Sequence, residues 1–163
     1  MRPLLLMVVL LAGCGLPNRA RWTPEVSCDT RFGHLMFQRA PKLSCDEISK
    51  RYGSLADELM DPITGHGANA FSLMEVWVWD RDHTRDEPLD QWDTTGETVW
   101  MDRCLTGLVH EQLHYWEVRF LGTPAVVANR HWRWKSDDNY RLADLRWIGQ
   151  SRAICAALTG RAP

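Results

Sequence analysis

The feature that most narrows the fold of this chain is an apolar stripe just past its middle. Leu105, Val109, Leu113, Trp116 and Phe120 follow one another at spacings of four, four, three and four, which is one face of an α-helix. The spacing predicts a helix capped by Asp102 and running to about Leu121, where Gly122 and Pro124 stop it. A second long helix is expected from about Ser136. It carries Asp137 and Asp138 in its first turn, at the positive end of the dipole, and turns Leu142, Leu145, Ile148, Cys155 and Leu158 to the core. Upstream, residues 71–79 (FSLMEVWVW) are aromatic and β-branched and read as a buried strand, and residues 98–101 (TVWM) as a second. The charged stretch 80–93, with Pro88, reads as an exposed loop that makes the two strands antiparallel. Ser44 or Asp46 can cap a further helix through Leu59, broken by Asp61-Pro62 and Gly65-His66-Gly67. Trp77, Trp79, Trp116 and Trp147 are expected to fill the core. The fold class that follows is α+β, a small antiparallel sheet packed on the central helix and a long C-terminal helix.

The N-terminus reads as a targeting segment. Arg2 precedes an uncharged apolar run at 4–11, too short to span a bilayer as a helix but suited to a signal peptide. The run ends in Leu11-Ala12-Gly13-Cys14, which resembles the bacterial lipobox, in which the cysteine is lipidated and becomes the new N-terminus. The expected organisation is a signal peptide over 1–13, a lipidated Cys14 and tether over 14–27 with Pro17 and Pro24, and one domain over 28–163. The expected location is the bacterial cell envelope, with the lipid on Cys14 in the membrane. Gly15 supplies no inner-membrane retention aspartate and points to the periplasmic face of the outer membrane. A formal net charge of −2 leaves no electrostatic footprint for nucleic acid. Four cysteines remain, and an even number in an oxidising compartment favours two disulfides. Three pairings are possible; the expected one is Cys28–Cys45 as a local clip and Cys104–Cys155 as a tie between helices. No close Cys-x-x-Cys pair supports a four-cysteine zinc site.

The central helix also carries chemistry. His110 and His114 stand four residues apart, so their rings share a face about one turn apart and can reach one tetrahedral cation. Val109 and Leu113, each one residue before a histidine, belong to the apolar stripe, so the imidazoles emerge at the edge of the buried face, where a cleft can form. Glu111 lies beside them, placed to take a proton from a metal-activated water as general base and pass it to a leaving amine. A strand-rich segment before the helix suits a sheet edge that aligns an extended peptide.

The run Val109-His110-Glu111-Gln112-Leu113-His114-Tyr115 resembles the zincin metallopeptidase motif. It is also similar to secreted bacterial proteins with a His-Glu-Gln-x-His-Phe stretch. The resemblance covers one helix. It implies a zincin-like fold, Zn²⁺ held by His110 and His114, Glu111 as catalytic base, and a peptide or protein substrate in the envelope. The chain departs from known patterns at the third ligand. A metzincin carries histidine where Phe120 stands, a gluzincin needs a downstream glutamate although Glu117 is the last, and the context of an aspzincin aspartate is absent. His131, beyond the Gly122-Thr123-Pro124 turn, is the preferred third ligand, with Asp137 or Asp138 as alternatives.

Glu117 shares the histidine face and can orient an imidazole or stay solvated. Trp132 and Trp134 alternate, one of them a candidate for a groove and both for packing. His34, His66 and His83 stand outside any motif. No Gly-x-Ser-x-Gly or phosphate loop is present. Two rivals accompany the peptidase reading: a non-catalytic envelope lipoprotein that acts as a binding or assembly module, and a zinc amidase acting on cell-wall peptides.

Overall fold

Alternation along three short strands divides the apolar residues between the two faces of one sheet. Leu35 and Phe37 of β2 (Gly33–Phe37), Val76 and Val78 of β3 (Glu75–Val78), and Val99 and Met101 of β5 (Thr98–Met101) enter the main core. Met36, Trp77 and Trp100 lie in register across the same strands and form a smaller cluster on the other face, covered by Trp22 and Trp79. The computed structural model describes residues 22–82, 91–92 and 98–161. The expected signal peptide, Cys14 and the tether as far as residue 21 lie outside the described residues, as do His83 and most of the charged loop. The stretch read as tether holds Trp22, whose ring meets Trp77 edge-on at 5.0 Å, and the first two residues of β1 (Val26–Thr30).

The sheet is mixed, in the order β1-β2-β3-β5-β4, where β4 is the two-residue edge strand Gln91–Trp92. β1 and β2 form an antiparallel hairpin, β2, β3 and β5 run parallel, and β4 is antiparallel to β5. This corrects the antiparallel sheet expected from the sequence. The connection from β3 to β5 contains β4, so the chain reverses twice and β5 returns parallel to β3. Residues 71–74 do not extend β3; Phe71 ends a 3-10 turn (Gly67–Phe71) packed on the first helix.

That helix, α1 (Cys45–Thr64), begins with a capping box: the Ser44 hydroxyl accepts from the Glu47 N–H at 3.3 Å, and the Glu47 carboxylate accepts from the Ser44 N–H at 2.9 Å. Pro62 sits within its last turn without ending it; Gly65, left-handed at φ 69°, does. The motif helix α2 (Leu108–Arg119) starts later than the spacing predicts. Leu105, Val109, Leu113 and Trp116 are buried, but Phe120 is half exposed. After two short helices, α3 (Ala125–Ala128) and α4 (Trp132–Ser136), the chain closes with α5 (Asp138–Thr159), capped by the Asp137 side chain on the Asn139 N–H. The buried face of α5 is Tyr140, Ala143, Trp147, Ser151, Cys155 and Leu158. Leu142 and Leu145, expected in the core, point to solvent, because the indole of Trp147 sets the rotation by donating to the Leu105 carbonyl at 2.7 Å. Both expected disulfides, Cys28–Cys45 and Cys104–Cys155, are formed.

Candidate metal centre

The approach to α2 is fixed before the motif begins. Asp102 is buried, and its carboxylate accepts from the Cys104 N–H at 2.6 Å and from the backbone and hydroxyl of Thr106. It therefore organises the turn ahead of the helix, where it was expected to cap the helix itself. Leu105 adopts φ 57° in that turn, held by Trp147 on its carbonyl. The Cys104–Cys155 disulfide ties the same turn to α5. Within the motif, Gln112 is fully buried and donates to the Phe32 carbonyl in the β1–β2 turn at 2.7 Å. With Val109 and Leu113 in the core, this contact sets the rotation of α2 and turns His110 and His114 to one side.

There the two meet His131, the residue before α4, whose backbone is left-handed at φ 53°. The three Nε2 atoms converge, with His110 to His131 at 2.9 Å and His114 at 3.2 Å from each of the others. A tetrahedral cation with Zn–N bonds of ~2.0–2.1 Å holds its nitrogens roughly 3.3–3.4 Å apart. The triangle is within a few tenths of an ångström of that spacing. Three imidazoles can thus hold a metal ion here. Burial pushes His114 down to about 2, helped by the positive charge that His110 and His131 would carry; burial and then His110 lower His131, against the pull of Asp144. Proton-free nitrogens are what a cation requires.

The surroundings hold the imidazoles in orientation. Asp144 of α5 stands 3.0 Å from His110 Nδ1, a carboxylate–imidazole contact of the kind that fixes a ligand's tautomer. His131 has its own partner in the Asn129 backbone. The Trp134 ring packs on all three imidazoles, with centroids 4.9–5.0 Å away. Glu117 is fully buried and pairs with Arg133 of α4 at 3.2 Å, so it neither orients an imidazole by any contact seen here nor stays solvated. Burial raises its carboxyl to about 7, against the pull of Arg133.

Glu111 is 5 % exposed. With His110 it lines a cleft of about 280 Å³, bordered also by Thr106, Gly107, Asp144, Ile148 and Arg152. The edge strand beside α2 is β4.

The structure therefore gathers His110, His114 and His131, with Glu111 at the cleft. The two aspartates weighed as alternatives are engaged elsewhere: Asp137 caps α5, and Asp138 is exposed and paired with Arg141 at 2.9 Å. His34 pairs with Asp29 across the β1–β2 hairpin, and His66 precedes the 3-10 turn. Asp144 was missed by sequence reasoning, because a mid-helix aspartate looks like any solvated one; its signal is a position next to the buried face of Ala143 and Trp147. Compared with models of known protein families, with curated proteins and with solved structures, the chain matches none.

Proposed function

We propose that this protein is a zinc-dependent metallopeptidase of the bacterial cell envelope, with a zincin-like domain held at the membrane by lipid on Cys14. The observation that carries the reading is the meeting of three imidazole nitrogens within 3.2 Å, beside a cleft that Glu111 lines. The donor set fits zinc, since three neutral histidines are a common catalytic ligand set. A bound zinc would supply a Lewis acid that lowers the pKa of a water and polarises the scissile carbonyl. Glu111 accepts the proton of the attacking water and returns it to the departing amine. Asp144 keeps His110 in the tautomer that leaves Nε2 free for the metal. Trp134 shields the imidazoles from solvent on one side. The edge strand β4 offers backbone groups to an extended peptide.

The test compares the purified protein with two variants. One zinc per chain is expected in the wild type and none in His110→Ala/His114→Ala. Glu111→Gln should keep its zinc and lose hydrolysis of a mixed peptide library by roughly 10²–10⁴-fold, the usual contribution of a general base. Undiminished hydrolysis in Glu111→Gln would refute the mechanism. Protein that takes up no zinc would favour the non-catalytic binding lipoprotein.

A further inference from the structure

Of the eight large apolar side chains exposed among the described residues, five fall in one short stretch: Phe120, Leu121, Val126, Val127 and Trp132. They are not scattered as exposed apolar residues ordinarily are. The stretch joins the end of α2 to α4 by way of α3, and these elements pack on one another in sequence. Its charge is equally one-sided. Residues 118–136 contain Arg119, Arg130, Arg133 and Lys135 and no aspartate or glutamate, in a chain that is acidic overall. Arg133 turns inward to Glu117. Arg119, Arg130 and Lys135 are exposed and carry no ion pair among the described residues. The Arg133 guanidinium also lies over the Trp132 ring, 4.4 Å from its centroid, and that indole remains exposed at the surface.

Apolar side chains with a tryptophan, set among unpaired cations, match the interface of a bilayer with anionic headgroups: the apolar groups enter the acyl boundary and the cations meet phosphates. Among the described residues no helix is long and apolar enough to cross a membrane, so such contact is peripheral. We propose that the face formed by residues 119–135 docks on an anionic lipid surface. This requires neither zinc nor hydrolysis. It sets the orientation of the domain, because His131 and Trp134 stand on the docking segment and the metal centre then lies next to the lipid.

The experiment uses the full chain with vesicles of phosphatidylglycerol and phosphatidylcholine, and with vesicles of phosphatidylcholine alone. Hydrogen exchange of the wild type should slow across residues 118–136 on the anionic vesicles more than on the neutral ones. Bromine on the acyl chains should quench an emission component that Trp132→Phe lacks. Arg119→Gln/Arg130→Gln should lower partition into the anionic vesicles by roughly thirtyfold, about fivefold per cation. Val126→Ser/Val127→Ser should lower it on both kinds of vesicle. Unchanged exchange at 118–136 on anionic vesicles would overturn the proposal. So would slowing that needs only a higher protein concentration and no lipid, which would make a second copy of the chain the occupant.

Discussion

The helix that carries His110 and His114 and the segment that carries His131 are built in opposite ways. In α2, nine of 12 residues are buried, and its start is held by Asp102 and a disulfide. In α3 only Ala128 is buried, and in α4 no residue is. α4 is held by Trp134, which packs on the imidazoles and on Tyr140 of α5, and by Arg133 on Glu117. Two of the three imidazoles are thus presented by a buried helix, and the third by a segment with few buried residues.

The largest effect that would break this contrast is on stability. Leu113→Ala empties a fully buried site of α2 and should cost about 2–5 kcal/mol. Val126→Ala, on an exposed residue of α3, should stay within about 0.5 kcal/mol. Urea unfolding of both variants measures the difference, and equal losses would show that α3 belongs to the cooperative core.

A smaller effect sharpens the contrast within the centre. Asp144→Ala removes the carboxylate that α5 holds against His110 and should weaken zinc binding by roughly 10–100-fold, read by competition with a chromogenic chelator. The fold should survive, because Asp144 is not among the buried residues of α5. Unchanged affinity would mean that α2 alone orients His110.

A third effect concerns the link between the regions. Burial raises Glu117 from 4.5 to about 7. A carboxyl raised on folding stabilises the folded state fully below its unfolded pKa, and that contribution is lost as pH rises through the folded value. Glu117→Gln keeps the neutral shape and removes the titration. The wild type should therefore lose stability relative to this variant as pH rises from 4.5 to about 7. A constant difference between their urea midpoints across that window would contradict the assignment.

The same contrast governs what the sequence made legible. The motif helix, the helix start at Ser44 and both disulfide pairings rest on local spacing or small numbers of possibilities, and the structure contains them. The arrival of His131 at the other two imidazoles was readable only as the nearest histidine able to return over the helix. Strand direction was not legible, since it turns on β4, a strand of two residues with no periodicity of its own. The rotation of α5 was misread because hydrophobicity favours Leu142 and Leu145, whereas the buried face includes Ala143 and Ser151 and is fixed by one indole hydrogen bond to a distant carbonyl. Asp144 and the Glu117–Arg133 pair depend on how two elements come together, which no single stretch records.

Gln112 carries a consequence for how such motifs are searched. A pattern written His-Glu-x-x-His treats the position as a wildcard, open to any side chain. Here it is a docking pin, seated in the core and joined to the Phe32 carbonyl at 2.7 Å. A chain with leucine at that position would satisfy the pattern letter for letter, yet leave that carbonyl without its donor and the helix free to settle at another rotation. In this fold the identity of a variable letter helps decide whether the two invariant histidines face the same point.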